Sequence, residues 1–335
     1  MSWAEAADAA QRVLADRFWH PRFGIYQRSP GRRRLAIRLE WDYWTQAHAL
    51  EVTVDAAART GSTELRDRIR AHVAGIVRRN GGGIVNRYYD DMAWMGIALL
   101  RADEVAGADT GALVRELWAA IRAGWDDRHG GIVWRRDDPR PYMNAPANGP
   151  AAILAARLHR RYGDPADLDW ARRIAGWLQE TLVDPASGIV WDGAHPYEGS
   201  VDRTVWTYNQ GTVVGAEVQL WQLTGDRAHL ERARRTAGAT LNWYGEGGFP
   251  VEGTGDGSVF KGILARYLGD LVKTDPDGSH RVRVALASSG TAVAAAADVP
   301  IGIDWQHPTA SEVGLGSEVS AALLLEALAG LERPI

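Results

Sequence analysis

Two consecutive carboxylates stand in the stretch Tyr88-Tyr89-Asp90-Asp91-Met92-Ala93-Trp94, at the start of an apolar run with helical spacing. Neighbours in a helix lie about 100° apart around the axis and ~1.5 Å apart along it, so both acids can face one cleft. A retaining glycosidase holds its two carboxyl groups roughly 5–5.5 Å apart. The helix dipole favours an anion at this end, and mutual repulsion raises the pKa of one partner. One ionised nucleophile and one protonated acid result. Simple capping also places acids at helix starts. A magnesium-binding acid pair of the isoprenoid-synthase kind calls for a third Asp where Trp94 stands.

Amides and aromatic rings recur at similar places. Asn144 and Asn148 open one predicted helix, and Trp206-Thr207-Tyr208-Asn209-Gln210-Gly211 opens another. Asn and Gln both donate and accept, which matches a sugar hydroxyl. The chain has 15 Trp and 10 Tyr but 4 Phe, so most rings carry a polar handle. Trp41, Tyr43, Trp44, Tyr88, Tyr89, Trp94, Trp134, Tyr142, Trp191, Tyr197, Trp206, Tyr208 and Trp305 cluster around predicted helix starts. They suit a substrate with apolar C–H faces beside hydroxyls. Trp118, Trp125, Trp170, Trp177 and Trp221 fall within predicted helices and are expected to pack.

The elements that must position these groups form a repeat. Gly24-Ile25-Tyr26, Gly83-Ile84-Val85, Gly131-Ile132-Val133, Gly188-Ile189-Val190, Gly248-Phe249-Pro250 and Gly302-Ile303-Asp304 follow at spacings of 59, 48, 57, 60 and 54 residues. Six units of about 56 residues fill the chain. Between the phrases the pattern predicts helices over 3–18, 42–59, 63–79, 89–105, 110–126, 148–162, 165–182, 207–223, 226–242, 259–273, 279–297 and 316–332. Odd-numbered members are charged and amphipathic, and even-numbered ones are apolar nearly all round, hence buried. Six outer helices alternating with six inner ones predict an all-α fold, an (α/α)6 barrel of six helical hairpins, with residues 1–335 as one toroidal unit. Short extended segments are expected in the loops at one end. Each repeated phrase lies in the longer connection from an outer helix to the next inner one, so all six long loops emerge at that end, where function concentrates.

Composition excludes several classes. With 38 Lys+Arg against 42 Asp+Glu the net charge is −4, which offers no basic surface for nucleic acid. Zero Cys removes disulfides and thiolate chemistry. No segment reaches ~20 consecutive apolar residues, so no membrane span is expected. The start, Met1-Ser2-Trp3-Ala4-Glu5, lacks the basic and apolar regions of an export signal. The expectation is a cytoplasmic monomer.

The phrases Tyr88 to Trp94, Gly131 to Trp134 with Asn144-Ala145 and Asn148-Gly149, Thr207 to Gly211, and Phe260-Lys261-Gly262-Ile263 resemble glycoside hydrolase family 76, the endo-α-1,6-mannanases. Met143 departs from the family pattern, which leads one to expect Lys there. The resemblance implies an (α/α)6 barrel, no metal and no cofactor, and retaining hydrolysis of α-1,6-linked mannan or mannooligosaccharides. It implies Asp90 as nucleophile and Asp91 as acid/base. The expected substrate-binding set is Trp44, Tyr89, Trp94, Trp134, Asn144, Asn148, Trp206, Tyr208, Asn209, Gln210 and Lys261. Two other readings remain open at this stage. One is a sugar epimerase or isomerase using His20, His129, His195 and His307, which all fall in the long loops; the other is a non-catalytic glycan-binding barrel.

Overall fold

A computed structural model describes residues 1–31, 41–245 and 248–332; the remainder of the expected 1–335 unit lies outside the described residues. Six inner helices, α2 (Tyr43–Thr60), α4 (Tyr89–Ala106), α6 (Ala145–Tyr162), α8 (Thr207–Thr224), α10 (Gly257–Thr274) and α12 (Leu315–Ala329), pack each against the next, and α12 closes on α2. The outer layer is α1 (Trp3–Val13), α3 (Thr63–Arg79), α5 (Gly111–Arg122), α7 (Pro165–Thr181), α9 (Arg227–Tyr244) and α11 (His280–Ala295). The molecule is an (α/α)6 barrel with one continuous apolar core. Among the described residues no helix is long and apolar enough to cross a membrane.

The inner helices approach closely because small residues meet at one level. A Cβ on Gly211 of α8 would stand 2.8 Å from Leu264 Cα of α10, and one on Gly262 would stand 2.5 Å from Ser320 Cα of α12. Two predicted boundaries need correction. Helix α6 starts at Ala145 rather than 148, so Asn148 sits inside it. Helix α5 stops at Arg122, so Trp125 lies beyond it and pairs with Ile132 across a short antiparallel bridge.

The repeated Gly-Ile-Val phrase folds back on the end of the preceding outer helix. β1 (Trp19–His20) pairs with β2 (Ile25–Tyr26), Trp125 with Ile132, and Val183 with Val190. The turn before each return needs a left-handed residue, which explains the glycine: Gly131 has φ +79° and Gly188 φ +86°. A polar side chain from the next inner helix then holds the returning backbone. Gln46 accepts the Tyr26 N–H (3.0 Å) and donates to its carbonyl (2.8 Å). Asn148 does the same to Ile132 (2.7 and 2.9 Å), and Gln210 to Val190 (2.9 and 2.8 Å). Glu318 accepts the Ile301 N–H at 2.7 Å, while Ser317 Oγ donates to the Ile301 carbonyl. Each such bond contributes about 1 kcal/mol net, and a buried partner left alone costs about 1–3 kcal/mol. These clamps fix the loops to the inner ring. β3 (Met143–Asn144), β4 (Gly193–His195) and β5 (Ser200–Asp202) form a three-stranded antiparallel sheet at the same end.

Candidate active site

The N-termini of the inner helices surround a mouth. Asp90 and Asp91 stand in the first turn of α4, half-buried, in unlike settings. Asp90 Oδ2 accepts the indole N–H of Trp134 at 2.9 Å, and its Oδ1 accepts the Asp91 backbone N–H at 2.9 Å. Burial raises its pKa to about 6 against the pull of those donors. Asp91 Oδ2 accepts from Asn86 Nδ2 at 2.7 Å. Burial, then the Asp90 charge, push Asp91 well above the usual carboxylate range, and Asp256 and Asp42 add to the push. Asp90 therefore ionises first and Asp91 keeps its proton. Asn86 is itself fixed, because its Oδ1 accepts the Tyr88 N–H at 2.8 Å.

Two aromatic walls flank the acids. On one side the Tyr208 and Phe260 rings stack at 3.8 Å and 4°, with Trp44 and Trp206 packed on Phe260 at 6.2 and 5.7 Å. Trp44 is held by a 3.0 Å bond to Asp256 Oδ1, at the start of α10. Burial, then the Asp192 and Asp90 charges, push the Tyr208 phenol well above the ordinary range, and Asp256 adds to the push. On the other side Tyr88 packs on Trp134 at 5.3 Å, and Trp134 meets Tyr142 edge-on at 6.4 Å.

Of the residues expected at the site, Asp90, Asp91, Trp44, Trp134, Trp206 and Tyr208 come together at this mouth. The others need correction. Tyr89 is buried with its ring against Gly124; one residue earlier, Tyr88 takes the place at the wall. Trp94 is 2% exposed and packs on His48 in the interior. Asn148 and Gln210 are fully buried, with their amides committed to the backbone clamps above. Asn144 caps α6, accepting the Ala147 N–H. Asn209 lies beneath the wall and donates to Asp192 Oδ1 at 2.9 Å, whose Oδ2 accepts from Tyr142. Lys261 is 3% exposed; it donates to the Ile303 carbonyl and lies 4.6 Å from the Trp305 ring centre. Burial lowers its pKa to about 8.

The sequence reading omitted Asn86, Asp192, Asp256 and Glu252 from the site. Glu252 accepts both the backbone N–H and the hydroxyl of Thr207, fixing the start of α8, and burial raises it to about 7. None of the four belongs to a repeated phrase; the aromatic spacing could have drawn attention to Asn86, two residues before Tyr88, and to Asp192, next to Trp191. The four loop histidines do not converge. His20 meets Phe23, His129 meets Tyr197, His195 stacks on Tyr142 and His307 bonds Asp304. Among the described residues no group of three or more His, Asp or Glu is arranged to hold a metal ion.

Comparison with known proteins places the chain. Residues 2–334 match the model of glycosyl hydrolase family 76. The structure is similar to that of an α-1,6-mannanase from Salegentibacter sp., with TM-score 0.91 and 33% identity, covering 99% of this chain and 100% of that one. The same mannanase is known as an inactive variant, two successive aspartates replaced by asparagine, in complex with α-1,6-mannotriose. A mannan endo-1,6-α-mannosidase of Candida glabrata is 25% identical over 273 residues, and a putative one of Schizosaccharomyces pombe is 26% identical over 331 residues, 85% of this chain and 73% of that one. The present chain spans 61% of the length of the Candida glabrata protein over 73% of its own.

Proposed function

The chain belongs to glycosyl hydrolase family 76, and from that membership and the geometry of the mouth we propose that it hydrolyses α-1,6-linked mannosides with retention, residues 1–335 acting as one catalytic unit. One observation carries the assignment: two successive carboxylates, both raised by burial and Asp91 further by the Asp90 charge, stand together at an aromatic-walled mouth. Two other Asp-Asp pairs exist and fit less well. Asp127 of Asp126-Asp127 is exposed at 88% of its side chain, and Asp138 of Asp137-Asp138 is tied to Arg135 at 2.7 Å.

In the proposed reaction a carboxylate oxygen of Asp90 attacks the anomeric carbon while the bond to the leaving oxygen breaks. Asp91 gives its proton to that oxygen. Water then attacks the same carbon, Asp91 takes the water's proton back, and the bond to Asp90 breaks. The Trp134 N–H lowers the cost of the Asp90 carboxylate, and Asn86 holds Asp91 in one orientation. The carboxylates around the mouth favour the positive charge that develops on the sugar ring. The same acidic rim repels an anionic substrate and is compatible with a neutral one. Tyr208 on Phe260, with Trp44 and Trp206, offers a flat face for the apolar side of a pyranose.

The decisive experiment follows product stereochemistry by proton NMR during hydrolysis of an α-1,6-mannooligosaccharide. The α-anomer is expected to form first and then mutarotate. First appearance of the β-anomer would overturn the double displacement, and no cleavage of any α-1,6-mannoside would overturn the reading altogether.

A further inference from the structure

Outside the mouth, a cavity of about 470 Å³ lies between the 138–141 loop and the 195–198 turn, within the size range of small-molecule sites. We propose that it is a remote sugar site, holding a hexopyranosyl unit of the substrate away from the point of cleavage. The inference rests on the mannosidase reading above and extends it.

The first support is continuity with the mouth. Trp134, bonded to Asp90, meets Tyr142 at 6.4 Å, and Tyr142 stacks on His195 at 4.5 Å and 29°. His195 lines the cavity. A chain of ring contacts, edge-on between Trp134 and Tyr142 and stacked between Tyr142 and His195, thus joins the paired acids to it.

The second support is Tyr197. It lines the cavity and is 53% exposed, yet its ring is fixed. Its hydroxyl donates to Asp126 Oδ2 at 2.9 Å, from the loop after α5, and His129 meets its ring edge at 4.5 Å and 70°. Folding gains little from so exposed a ring, while a ligand gains a preorganised platform. Pro139 and Pro141 add rigid C–H surface opposite.

The third support is charge. Asp138 is paired with Arg135 at 2.7 Å, and Arg140 lies 3.9 Å from Glu198. The rim can hydrogen-bond but carries no excess of either sign, which suits a neutral polyol better than a nucleotide or an acidic peptide. The unit held could come from either of two sources, a distal residue of the linear chain or a side branch; its chemistry is the same.

The test measures kcat and KM for the wild type, Tyr197→Ala and Tyr197→Phe on three probes: α-1,6-mannotriose, α-1,6-mannohexaose, and the trisaccharide carrying one α-1,2-mannosyl branch. Losing one ring platform is expected to raise KM about fivefold to tenfold on an extended probe, with kcat and the trisaccharide unchanged. Tyr197→Phe, which keeps the ring, should show a smaller rise. A rise confined to the hexaose identifies a distal unit, and one confined to the branched probe identifies a branch. Unchanged KM on both extended probes overturns the site, and so does an equal loss on the trisaccharide, which would mark a structural role. Should the wild type cleave none of the three, the mannosidase reading fails; calorimetric titration of hexaose into wild type and Tyr197→Ala then decides the cavity, equal affinities or no binding overturning it.

Discussion

The two ends of the barrel bury carboxylates to opposite effect. At the mouth, Asp90, Asp91 and Glu252 all have raised pKa values, chiefly through burial. At the other end, near the C-termini of the inner helices, Glu51 and Asp55 of α2 meet Arg101 of α4 and Arg266 of α10. Arg101 reaches Glu51 at 3.0 Å and Asp55 at 2.5 Å, and Arg266 also bonds Asp55. Burial alone would raise these acids too, but the guanidiniums outweigh it, holding Asp55 down to about 2. Arg59 also joins Glu326 at 2.8 Å across the rim of a cavity of about 300 Å³, but there burial outweighs the guanidinium and Glu326 stays above the usual carboxylate range. Aspartate on the same inner ring is thus raised by burial at Asp90 and Asp91 and held as a structural anion at Asp55, where two guanidiniums stand beside it. Helix dipoles run against this division, since N-termini favour a carboxylate and C-termini disfavour it; burial at the mouth and the guanidiniums at the other end outweigh them.

Paired substitutions break the contrast most sharply. Asp90→Asn or Asp91→Asn should cut kcat on an α-1,6-mannooligosaccharide by about a thousandfold or more, without lowering Tm, because each removes a buried repulsion. Either variant retaining near-wild-type turnover would sink the assignment. Asp55→Asn should do the reverse. It leaves Arg101 and Arg266 buried with one counter-ion fewer, at a cost of about 3–5 kcal/mol, read by urea unfolding, while kcat per folded molecule stays put. Asp55 has a depressed pKa, so its contribution is complete above its unfolded value near 4 and disappears as the pH falls through about 2. Wild-type stability in Asp55→Asn at pH 7 would mean that the back-end network adds nothing.

Much of this contrast was legible in the sequence, and its gaps have physical causes. Six glycine phrases at near-constant spacing disclosed the hairpins, and the charged-versus-apolar alternation disclosed the layers. Asp90-Asp91 was visible because two acids beside an apolar helix are unusual. The amides misled: Asn148 and Gln210 have the residue type that binds sugar hydroxyls, but the same donor-acceptor pair satisfies one backbone N–H and C=O, and that use won. Sequence spacing does not separate the two uses. Tyr89 and Trp94 were misplaced because a helix turns about 100° per residue, so one position decides between mouth and core. Asp192 and Asp256 lie far along the chain from Asp90, and only the closed ring brings their charges near Tyr208.

Glu318 tests whether an unpaired buried acid is costly when it has no chemistry to do. It occupies a clamp position that Gln46 and Gln210 fill with amides, and burial raises its pKa to about 8. Below its unfolded value near 4.5 both states are protonated and nothing is lost. Between there and about 8 the unfolded chain ionises while the folded one does not, so the penalty grows with pH. Glu318→Gln should therefore leave stability unchanged near pH 4 and raise it at pH 8–9 by an amount on the order of a few kcal/mol. A pH-independent difference in Tm would show that the buried acid is solvated better than its surroundings imply.

Trp134→Phe probes the side-chain donor to Asp90. The ring volume is largely kept, and with it the contacts to Tyr88 and Tyr142, but the indole N–H that bonds Asp90 Oδ2 is lost. A hydrogen bond to a carboxylate favours its ionised form, so its loss raises Asp90 further above about 6. In the proposed reaction Asp90 acts as the anion, so activity should fall as pH drops through its pKa. The acid limb of kcat/KM should accordingly move up by about 0.5–1 pH, while the basic limb, set by Asp91, stays in place. The loss is then several times greater at pH 5 than at pH 8. If instead the basic limb moved, the roles of Asp90 and Asp91 would have to be exchanged. If neither limb moved and kcat fell equally at every pH, Trp134 would serve the sugar alone, and Asp90 would owe its ionisation to the α4 helix terminus.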